Sequence, residues 1–297
     1  MKQNYFKTLS LIGIFSLAMS ALAVPLAGTY TVGSGQTYTT LNNAIAAAKS
    51  EGISANVTFR LKSGTYTANH IINNISGNYG GSTSYSITIE SETGNRTDVT
   101  LQSSSNYAMR IYNSSNITIK NLTFNQNSAS YTLYLSGTTE NITVENCNLN
   151  GYNSTSSSTS YTIVYLASNN KNCLIDKCNF TRGSYGVYCT NNGNEGLKIR
   201  RNTFTNQFYA IQIQNNNDIE FSGNNVVSTR SYGVYLYWCS GVKMFNNTIR
   251  SSSYSFYLRY MGEGTGAASQ FYNNIAGPTN SSYAVYARND LKNTDFY

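Results

Sequence analysis

An internal repeat with a period of about 23 residues is the feature that most constrains this sequence. From Tyr107 onward, each unit begins with a tyrosine, continues with a small or polar residue and then alternates apolar and polar residues. Two units are longer, and their extra residues fall at 151–160 and 261–268. A constant period with local insertions is typical of a solenoid, in which each unit packs only against its neighbours. The predicted unit starts are Tyr107, Tyr131, Tyr161, Tyr185, Tyr209, Tyr232, Tyr254 and Tyr283.

Short strands are predicted in each unit by apolar residues that alternate at period two. In the first unit, Met109 and Ile111 form the inward pair of the opening strand, and Ile117 and Ile119 form that of a second strand. One further apolar residue, Phe124, follows five residues later, and the other units repeat this arrangement. The units lack both the LxxLxL segment of leucine-rich repeats and the GGxGxD motif of calcium-binding repeats. The fold predicted is all-β, a right-handed parallel β-helix.

A column of polar and small residues marks one corner of the repeat, two residues before the last apolar position of each unit. Stacked asparagine amides at such a corner can hydrogen-bond to one another and to the backbone of the turn. We predict that Cys147 and Cys178, on adjacent coils of this column, are two buried thiols, because stacked side chains point in the same direction. The predicted column is Leu122, Cys147, Cys178, Asn202, Asn224, Asn247 and Asn273.

The N-terminal segment predicts export. Lys2 and Lys7 precede an apolar run over residues 9–19, and Ala21-Leu22-Ala23 has the small-x-small pattern of a cleavage site. We therefore interpret residues 1–23 as a signal peptide and expect a protein that is secreted or on the outer cell surface, with no membrane span after cleavage. The five cysteines show neither CxxC spacing nor a neighbouring histidine, so we expect no metal and no other cofactor.

The residues before the repeats resemble the N-terminal part of a known superfamily. Residues 38–49 predict a short helix with a threonine N-cap, followed by a strand at 57–61 and by Ser63-Gly64-Thr65-Tyr66. With the repeats, these motifs resemble the pectin-lyase-like superfamily over residues 28–297, in particular the exported β-helix repeat proteins common in Bacteroidota. The resemblance implies that the helix covers the N-terminal mouth of the solenoid.

Domain boundaries follow from this organisation. We assign residues 24–105 to the cap and first coils, and residues 106–297 to the β-helix repeats. The chain ends where the next corner of a unit is expected, so we expect a truncated protein or one without a C-terminal module.

Catalytic motifs of that superfamily, such as the clustered aspartates and Gly-His-Gly of galacturonases, are absent from the sequence. The only histidine, His70, is expected at the surface or in the first coil. Lys120, Glu145, Asp176 and Arg200 occupy one outward position in four successive units, so Glu145 and Asp176 are expected about 5 Å apart. A second column, Lys198, Glu220 and Lys243, also alternates in sign, as in a ladder of ion pairs that stabilises stacked strands.

Aromatic residues recur at the outward position three residues after each opening tyrosine. This predicted column is Arg110, Tyr134, Val164, Tyr188, Gln212, Tyr235, Tyr257 and Tyr286, and two residues later the same face carries Tyr112, Tyr237, Arg259 and Arg288. Exposed rings in a row could stack against sugar rings, and arginines could bind hydroxyls or uronate carboxylates. The candidate ligand-binding residues are Tyr134, Tyr188, Tyr235, Tyr237, Tyr257, Arg259, Tyr286 and Arg288. Alternatively, these tyrosines serve only as strand formers that stack on their neighbours.

The expected function is a non-catalytic secreted or cell-surface module that binds polysaccharide or another extracellular polymer. The formal net charge is +7, but no Lys/Arg run typical of nucleic-acid binding occurs, so we expect no nucleic-acid partner. We expect a monomer. Two alternatives remain: a polysaccharide lyase or glycoside hydrolase that acts on an acidic glycan through Glu145, Asp176 and Arg200, and a structural or adhesive spacer.

Overall fold

The computed structural model describes residues 24–75, 85–167, 169–190, 193–262, 267–280, 283–288 and 291–297. The predicted signal peptide, residues 1–23, lies outside the described residues. The described chain contains one α-helix, α1 (Leu41–Glu51), one 3₁₀ turn (Thr159–Tyr161) and three parallel sheets. None of the helices in these ranges is long and apolar enough to cross a membrane.

The first sheet, here the charged sheet, has 12 strands. They are β1 (Leu26–Val32), β2 (Ile53–Leu61), β5 (Ile87–Ser91), β8 (Ser115–Lys120), β11 (Thr139–Glu145), β14 (Asn170–Lys171), β15 (Leu174–Asp176), β18 (Lys198–Arg200), β21 (Glu220–Ser222), β24 (Lys243–Phe245), β27 (Ser269–Tyr272) and β30 (Thr294–Phe296).

Two further sheets have nine strands each. The tyrosine sheet consists of β4 (His70–Asn73), β7 (Tyr107–Tyr112), β10 (Tyr131–Ser136), β13 (Thr162–Leu166), β17 (Tyr185–Cys189), β20 (Tyr209–Gln214), β23 (Tyr232–Tyr237), β26 (Tyr254–Arg259) and β29 (Val285–Arg288). The third sheet consists of β3 (Gly64–Thr67), β6 (Val99–Ser103), β9 (Thr123–Gln126), β12 (Asn148–Asn150), β16 (Asn179–Thr181), β19 (Thr203–Thr205), β22 (Asn225–Thr229), β25 (Thr248–Ser251) and β28 (Ile275–Pro278).

The chain visits the charged, third and tyrosine sheets in turn and climbs by one strand in each sheet per coil. This confirms the predicted right-handed parallel β-helix. The alternating apolar residues point inward as predicted, since Met109, Ile111, Ile117, Ile119 and Phe124 are all fully buried. Burial of each such side chain contributes roughly 2 kcal/mol, so every coil adds its own share of the core.

A single residue with a left-handed backbone turns the chain sharply from the charged sheet into the third sheet. Gly223 has φ 64° at this corner, and Asn246 in the next coil has φ 56°. Asparagine and glycine adopt this conformation more readily than other residues, which explains why they recur at these corners. The left-handed residues at this corner are Asn121, Asn146, Lys177, Arg201, Gly223, Asn246 and Asn273.

The residue that follows each left-handed corner residue points inward. Together these inward residues form the column predicted from the sequence, except at Asn273. Asn224 donates from Nδ2 to Asn247 Oδ1 (3.1 Å), and Asn247 donates to Asn274 Oδ1 (2.8 Å). The prediction of Asn273 in this column was wrong, because Asn273 is itself the left-handed residue and Asn274 continues the ladder. Asn273 and Asn274 are adjacent and follow an insertion, so the repeat spacing could not show which of the two belongs to the column. Cys147 and Cys178 occupy the same column as buried free thiols, as predicted.

The unit predicted to start at Tyr161 is shifted by one residue. The preceding insertion ends in the 3₁₀ turn Thr159–Tyr161, so the strand begins at Thr162, which pairs with Tyr185. Val164 is therefore inward and buried, and the outward residue is Tyr165, which pairs with Tyr134 and Tyr188. The prediction of Val164 as an outward residue was wrong for this reason.

The predicted capping helix is present as α1. Thr40 is its N-cap and accepts a hydrogen bond at Oγ1 from Asn43 N (3.1 Å). The apolar face of the helix, including Leu41 and Ile45, is buried in the core, and β1 adds a strand ahead of it that the sequence did not predict. His70 lies on β4 in the first coil and is buried, with Nδ1 2.8 Å from Asn42 Oδ1.

The asparagine ladder gives a first prediction. Asn224→Ala removes the amide that donates to Ile199 O (2.8 Å) and accepts at Oδ1 from Asn202 N (2.9 Å), leaving both groups buried without these partners. We expect the free energy of unfolding in urea to fall by about 2–4 kcal/mol. Asn246→Gly is the control, because Gly223 occupies the same corner one coil earlier, and should change it by less than about 0.5 kcal/mol. Equal effects of the two variants would contradict this role of the ladder.

Buried thiols give a second prediction. Burial raises the pKa of Cys173 to about 12 and that of Cys239 to about 11, and it also raises the pKa of Cys178. Because only thiolates react quickly with alkylating reagents, we expect intact protein at pH 8 to resist N-ethylmaleimide and denatured protein to take up five labels. Mass spectrometry measures the labelling. A Cys147–Cys178 disulfide in the protein as isolated would contradict the prediction.

Candidate functional site

The outward face of the tyrosine sheet carries two neighbouring rows of aromatic rings. The opening tyrosines form one row, in which Tyr185 and Tyr209 stack with ring centroids 4.9 Å apart and an interplanar angle of 13°. The outward tyrosines form the second row, in which Tyr134 and Tyr165 stack at 5.2 Å and 5°. The strand ladders hold both rows in register, because Tyr134 aligns with Tyr165 and Tyr185 aligns with Tyr209 on the next strand.

The predicted ligand-binding residues fall into two groups along this face. Tyr134 and Tyr188 lie on either side of Tyr165 in the first group. Gln212 interrupts the row, and the second group follows it on β23, β26 and β29. This second group contains Tyr235, Tyr237, Tyr257, Arg259, Tyr286 and Arg288, all in the predicted register. Sequence reasoning missed Tyr165 because of the one-residue shift in its unit.

Ring stacking along the solenoid limits which surfaces of the tyrosines a ligand can reach. Tyr257 and Tyr286 stack at 5.1 Å and 21°, so each covers a face of the other. Tyr235 meets Tyr257 edge to face at 4.9 Å. All of these outward tyrosines are half-buried, and burial raises the pKa of Tyr235 although Arg259 opposes the shift. The rows therefore stabilise the sheet as well as forming a surface.

The tyrosine sheet is cationic. Its nine strands contain three arginines, Arg110, Arg259 and Arg288, and no aspartate or glutamate. The Arg110 guanidinium lies over the rings of Tyr112 (4.7 Å) and Tyr134 (5.1 Å). Within the described ranges, none of these arginines forms an ion pair. Arg110 instead donates from Nε to Ser136 Oγ (2.9 Å).

One cluster at the edge of this sheet was not predicted from the sequence. Trp238 follows β23 at the corner that leads to the charged sheet, and it is 47% exposed. Its indole stacks on Tyr237 at 4.8 Å and contacts Tyr260 at 5.6 Å. Trp238 and Tyr260 have φ 50° and 48°, a left-handed conformation that costs an ordinary residue roughly 1–2 kcal/mol. The available sequence signal was the single tryptophan at a corner position occupied by asparagine in other coils.

The alternating charges of the charged sheet form ion pairs. Lys120, Glu145, Asp176 and Arg200 are in register on adjacent strands, as predicted. However, Glu145 pairs with Lys177 (3.2 Å), and the Asp176 side chain, only 5% exposed, pairs with Arg201. Each carboxylate is thus neutralised by a cation, and Asp176 is inaccessible to a polymer. This arrangement favours a stabilising ladder over a pair of catalytic carboxylates.

Glu220 shows that the ion pairs cross between columns. It pairs with Arg200 (Nε to Oε1, 2.7 Å) and accepts a hydrogen bond from Ser222 (2.8 Å), whereas its register neighbours are Lys198 and Lys243. Burial by itself would raise the pKa of Glu220, but the bonds from Arg200 and Ser222 and the nearby cations outweigh burial and lower it.

A cleft with a volume of about 470 Å³ lies beside the N-terminal cap. His70 lines it, with its Nε2 3.3 Å from Tyr66 O, and burial lowers the pKa of this imidazole. The Tyr66 hydroxyl lies 3.0 Å from the carbonyl oxygens of both Val32 and Lys62. These polar groups are engaged within the protein. No group of three His, Cys, Asp or Glu side chains that could hold a metal occurs among the residues described.

Glu220 gives a third prediction, on pH dependence. A carboxylate whose pKa is lowered by folding contributes stability above its ordinary pKa of 4.5, and this contribution is lost as the pH falls through the folded-state pKa. Between pH 6 and pH 3, the melting temperature of the wild type should therefore fall further than that of Glu220→Gln. Glu195→Gln is the control, because its pair with Lys171 is long (4.0 Å) and exposed. Parallel curves for wild type and Glu220→Gln would contradict the assignment.

Comparisons with known proteins support the fold. Solved structures that resemble the chain include a GH136 lacto-N-biosidase from Eubacterium ramulus, with TM-score 0.56 and 10% identity over 91% of this chain and 68% of that one. Others are a pectin methylesterase from Aspergillus niger (TM-score 0.45, 15% identity, 92% and 91% coverage) and an alginate lyase from Paenibacillus sp. (0.46, 11%, 90% and 99%). At 10% identity, the similarity to the lacto-N-biosidase is one of fold.

Sequence comparisons identify the family but no individual relative. No curated protein matches the chain. The family model described as "Right handed beta helix region" matches residues 85–249 and 161–295. These matches cover the coils whose ladders and corners are described above. The chain therefore belongs to the right-handed β-helix family.

Proposed function

We propose that this chain is a non-catalytic, secreted or cell-surface module that binds an acidic polysaccharide along its tyrosine sheet. One observation carries the proposal: the strands of this sheet combine rows of tyrosines with three arginines and contain no carboxylate. On the charged sheet, in contrast, Arg60, Lys120 and Arg200 are paired with carboxylates, and Lys198 and Lys243 are aligned on either side of the Glu220 carboxylate. The tyrosine sheet is therefore the better surface for a polyanion.

The repeat suits a polymer as ligand. Adjacent strands are about 4.8 Å apart, so a glycan that runs parallel to the solenoid axis meets an equivalent side chain at each step. The exposed edges and hydroxyl groups of Tyr235, Tyr257 and Tyr286 offer donors and acceptors to sugar hydroxyls. Arg259 and Arg288 are aligned on β26 and β29, and each guanidinium can bind a uronate carboxylate through two hydrogen bonds.

The lack of carboxylates and of an accessible imidazole on this face supports a binding role over catalysis. General acid and base catalysis on a glycan most often uses a carboxyl or imidazole group within hydrogen-bond reach of the substrate. The only imidazole on the strands of the tyrosine sheet is that of His70, which is buried and bonded to Asn42. Burial raises the pKa of the hydroxyls of Tyr209, Tyr232 and Tyr235, which leaves fewer of them ionised to act as bases.

Polysaccharide lyase or glycoside hydrolase activity is the second candidate function, and one observation favours it. Glu145 and Asp176 are aligned on neighbouring strands, and adjacent strands lie about 4.8 Å apart, close to the roughly 5 Å between the carboxylates of retaining glycosidases. Assays for reducing sugars and for unsaturated uronates test this function directly. Turnover that the double variant Glu145→Gln with Asp176→Asn abolishes would replace the binding proposal. A purely structural spacer would bind no glycan in the same assays.

The proposal predicts a loss of glycan binding on removal of two outward rings. Tyr235→Ala with Tyr257→Ala removes the centre of the second group, so affinity for alginate or polygalacturonate should fall about tenfold, because two aromatic contacts of roughly 0.5–1.5 kcal/mol each are lost. Affinity electrophoresis in gels containing each polymer measures the retention, with dextran as a neutral comparator.

Phe245→Ser is the matched control for this prediction. Phe245 stacks on Tyr272 (5.0 Å, 2°) on the charged sheet, and Ser222 occupies the same position one coil earlier. This variant removes an aromatic ring from a different face and should bind as the wild type does. Unchanged retention of the double tyrosine variant, or equal retention in dextran, would contradict the proposal.

A further inference from the structure

The corner after the tyrosine sheet carries two bulky residues where the solenoid otherwise uses small or polar ones. Asn74, Asn113, Gly137 and Asn215 occupy this corner in other coils, all with positive φ. Trp238 and Tyr260 adopt the same left-handed conformation, with φ 50° and 48°, although large side chains disfavour it. An unfavourable backbone conformation that persists at two stacked positions points to a role for these side chains beyond closing the turn.

The two corner residues belong to one cluster with Tyr237 and Arg259. Tyr237 and Tyr260 lie edge to face with ring centroids 5.6 Å apart, and Trp238 contacts both rings. The Arg259 guanidinium lies 5.2 Å from the Tyr237 ring and 5.5 Å from the Tyr260 ring. These contacts hold the cation and the rings in fixed relative positions, while nearly half of the Trp238 surface faces solvent. The cluster is thus preorganised for a ligand.

We propose that Tyr237, Trp238, Arg259 and Tyr260 form a binding site for one uronic acid ring, with the apolar face of the sugar against Trp238 and its carboxylate on Arg259. The proposal rests on the proposed function, and it assigns one specific contact point to the polymer. A pyranose ring has C–H groups on its faces and hydroxyls at its rim, so it matches an exposed indole bordered by tyrosine hydroxyls and a cation.

The size of the exposed apolar surface favours a sugar ring over a protein partner. Among the described residues between Glu90 and Gln270, Trp238 is the only exposed large hydrophobic residue, and the next ones along the chain, Ile275, Tyr283 and Val285, lie on the last coil. A stable protein interface needs an apolar centre built from several residues. Arg259 forms no ion pair in the described structure and is followed in register by Arg288, so the positive surface continues onto the next coil.

Trp238 reports on this site directly because the chain contains one tryptophan. Titration of the wild type with oligomers of galacturonate or mannuronate should shift and quench the indole emission and protect it from acrylamide. Maltohexaose is the neutral probe and should produce no change at the same concentrations. If affinity electrophoresis shows binding of polyuronate while the emission and the acrylamide quenching stay constant, the site at Trp238 is wrong and the proposed function stands.

The second measurement uses a variant in which asparagine, the residue that other coils have at this corner, replaces Trp238. Trp238→Asn places the side chain of Asn113 and Asn215 at the same corner, so the melting temperature should stay within about 4 °C of the wild type. Affinity for polyuronate in gel electrophoresis should fall about tenfold, and Phe245→Ser should leave it unchanged.

The outcomes separate the two proposals. Wild-type affinity in Trp238→Asn, together with a loss in Tyr235→Ala with Tyr257→Ala, would overturn only the corner site. An absence of polyuronate binding by the wild type in every assay would overturn both. A tenfold loss in Trp238→Asn without a loss of thermal stability supports the corner site.

Discussion

The left-handed turn between the charged and third sheets is the constraint on which the rest of this structure depends. It turns the chain sharply from one sheet to the next with a single residue, so each coil can be short and can stack directly on the previous one. The next residue then points into the core, where Asn202, Asn224, Asn247 and Asn274 bridge successive coils through side-chain amides. Without this repeated geometry, the parallel ladders of the three sheets would lose their common register.

Stacking in register converts single positions of the repeat into columns, and the charged sheet and the tyrosine sheet use these columns differently. On the charged sheet, unlike charges on neighbouring coils neutralise one another, as in the pairs of Glu220 with Arg200 and of Asp176 with Arg201. On the tyrosine sheet, the columns contain rings that stack and arginines without carboxylate partners among the described residues. The first arrangement adds stability, and the second leaves charge and hydrogen-bonding groups available to a ligand.

Interpretation of the sequence succeeded where the repeat is regular and failed next to insertions. The ladder of Tyr235, Tyr257 and Tyr286 was predicted residue by residue because constant spacing defines which strand positions align. At Tyr165 and Asn274 the predictions were wrong by one residue, because an inserted segment can end in a turn of unknown length. Trp238 was missed for a different reason, since alternation at period two describes strand positions and contains no rule for corners.

By itself, the sequence determined the period, the inward residues, the asparagine corner and the identity of the outward columns, since all of these are local or periodic properties. Only the tertiary structure decided how neighbouring columns interact. Glu145 pairs with Lys177 and not with a residue aligned with it on a neighbouring strand. This pairing depends on how far the two side chains reach between adjacent columns. The burial of Asp176 and the contact between the rings of Trp238 and Tyr260 likewise depend on packing between coils. Such packing exists only once the fold has brought together residues that are distant in the chain.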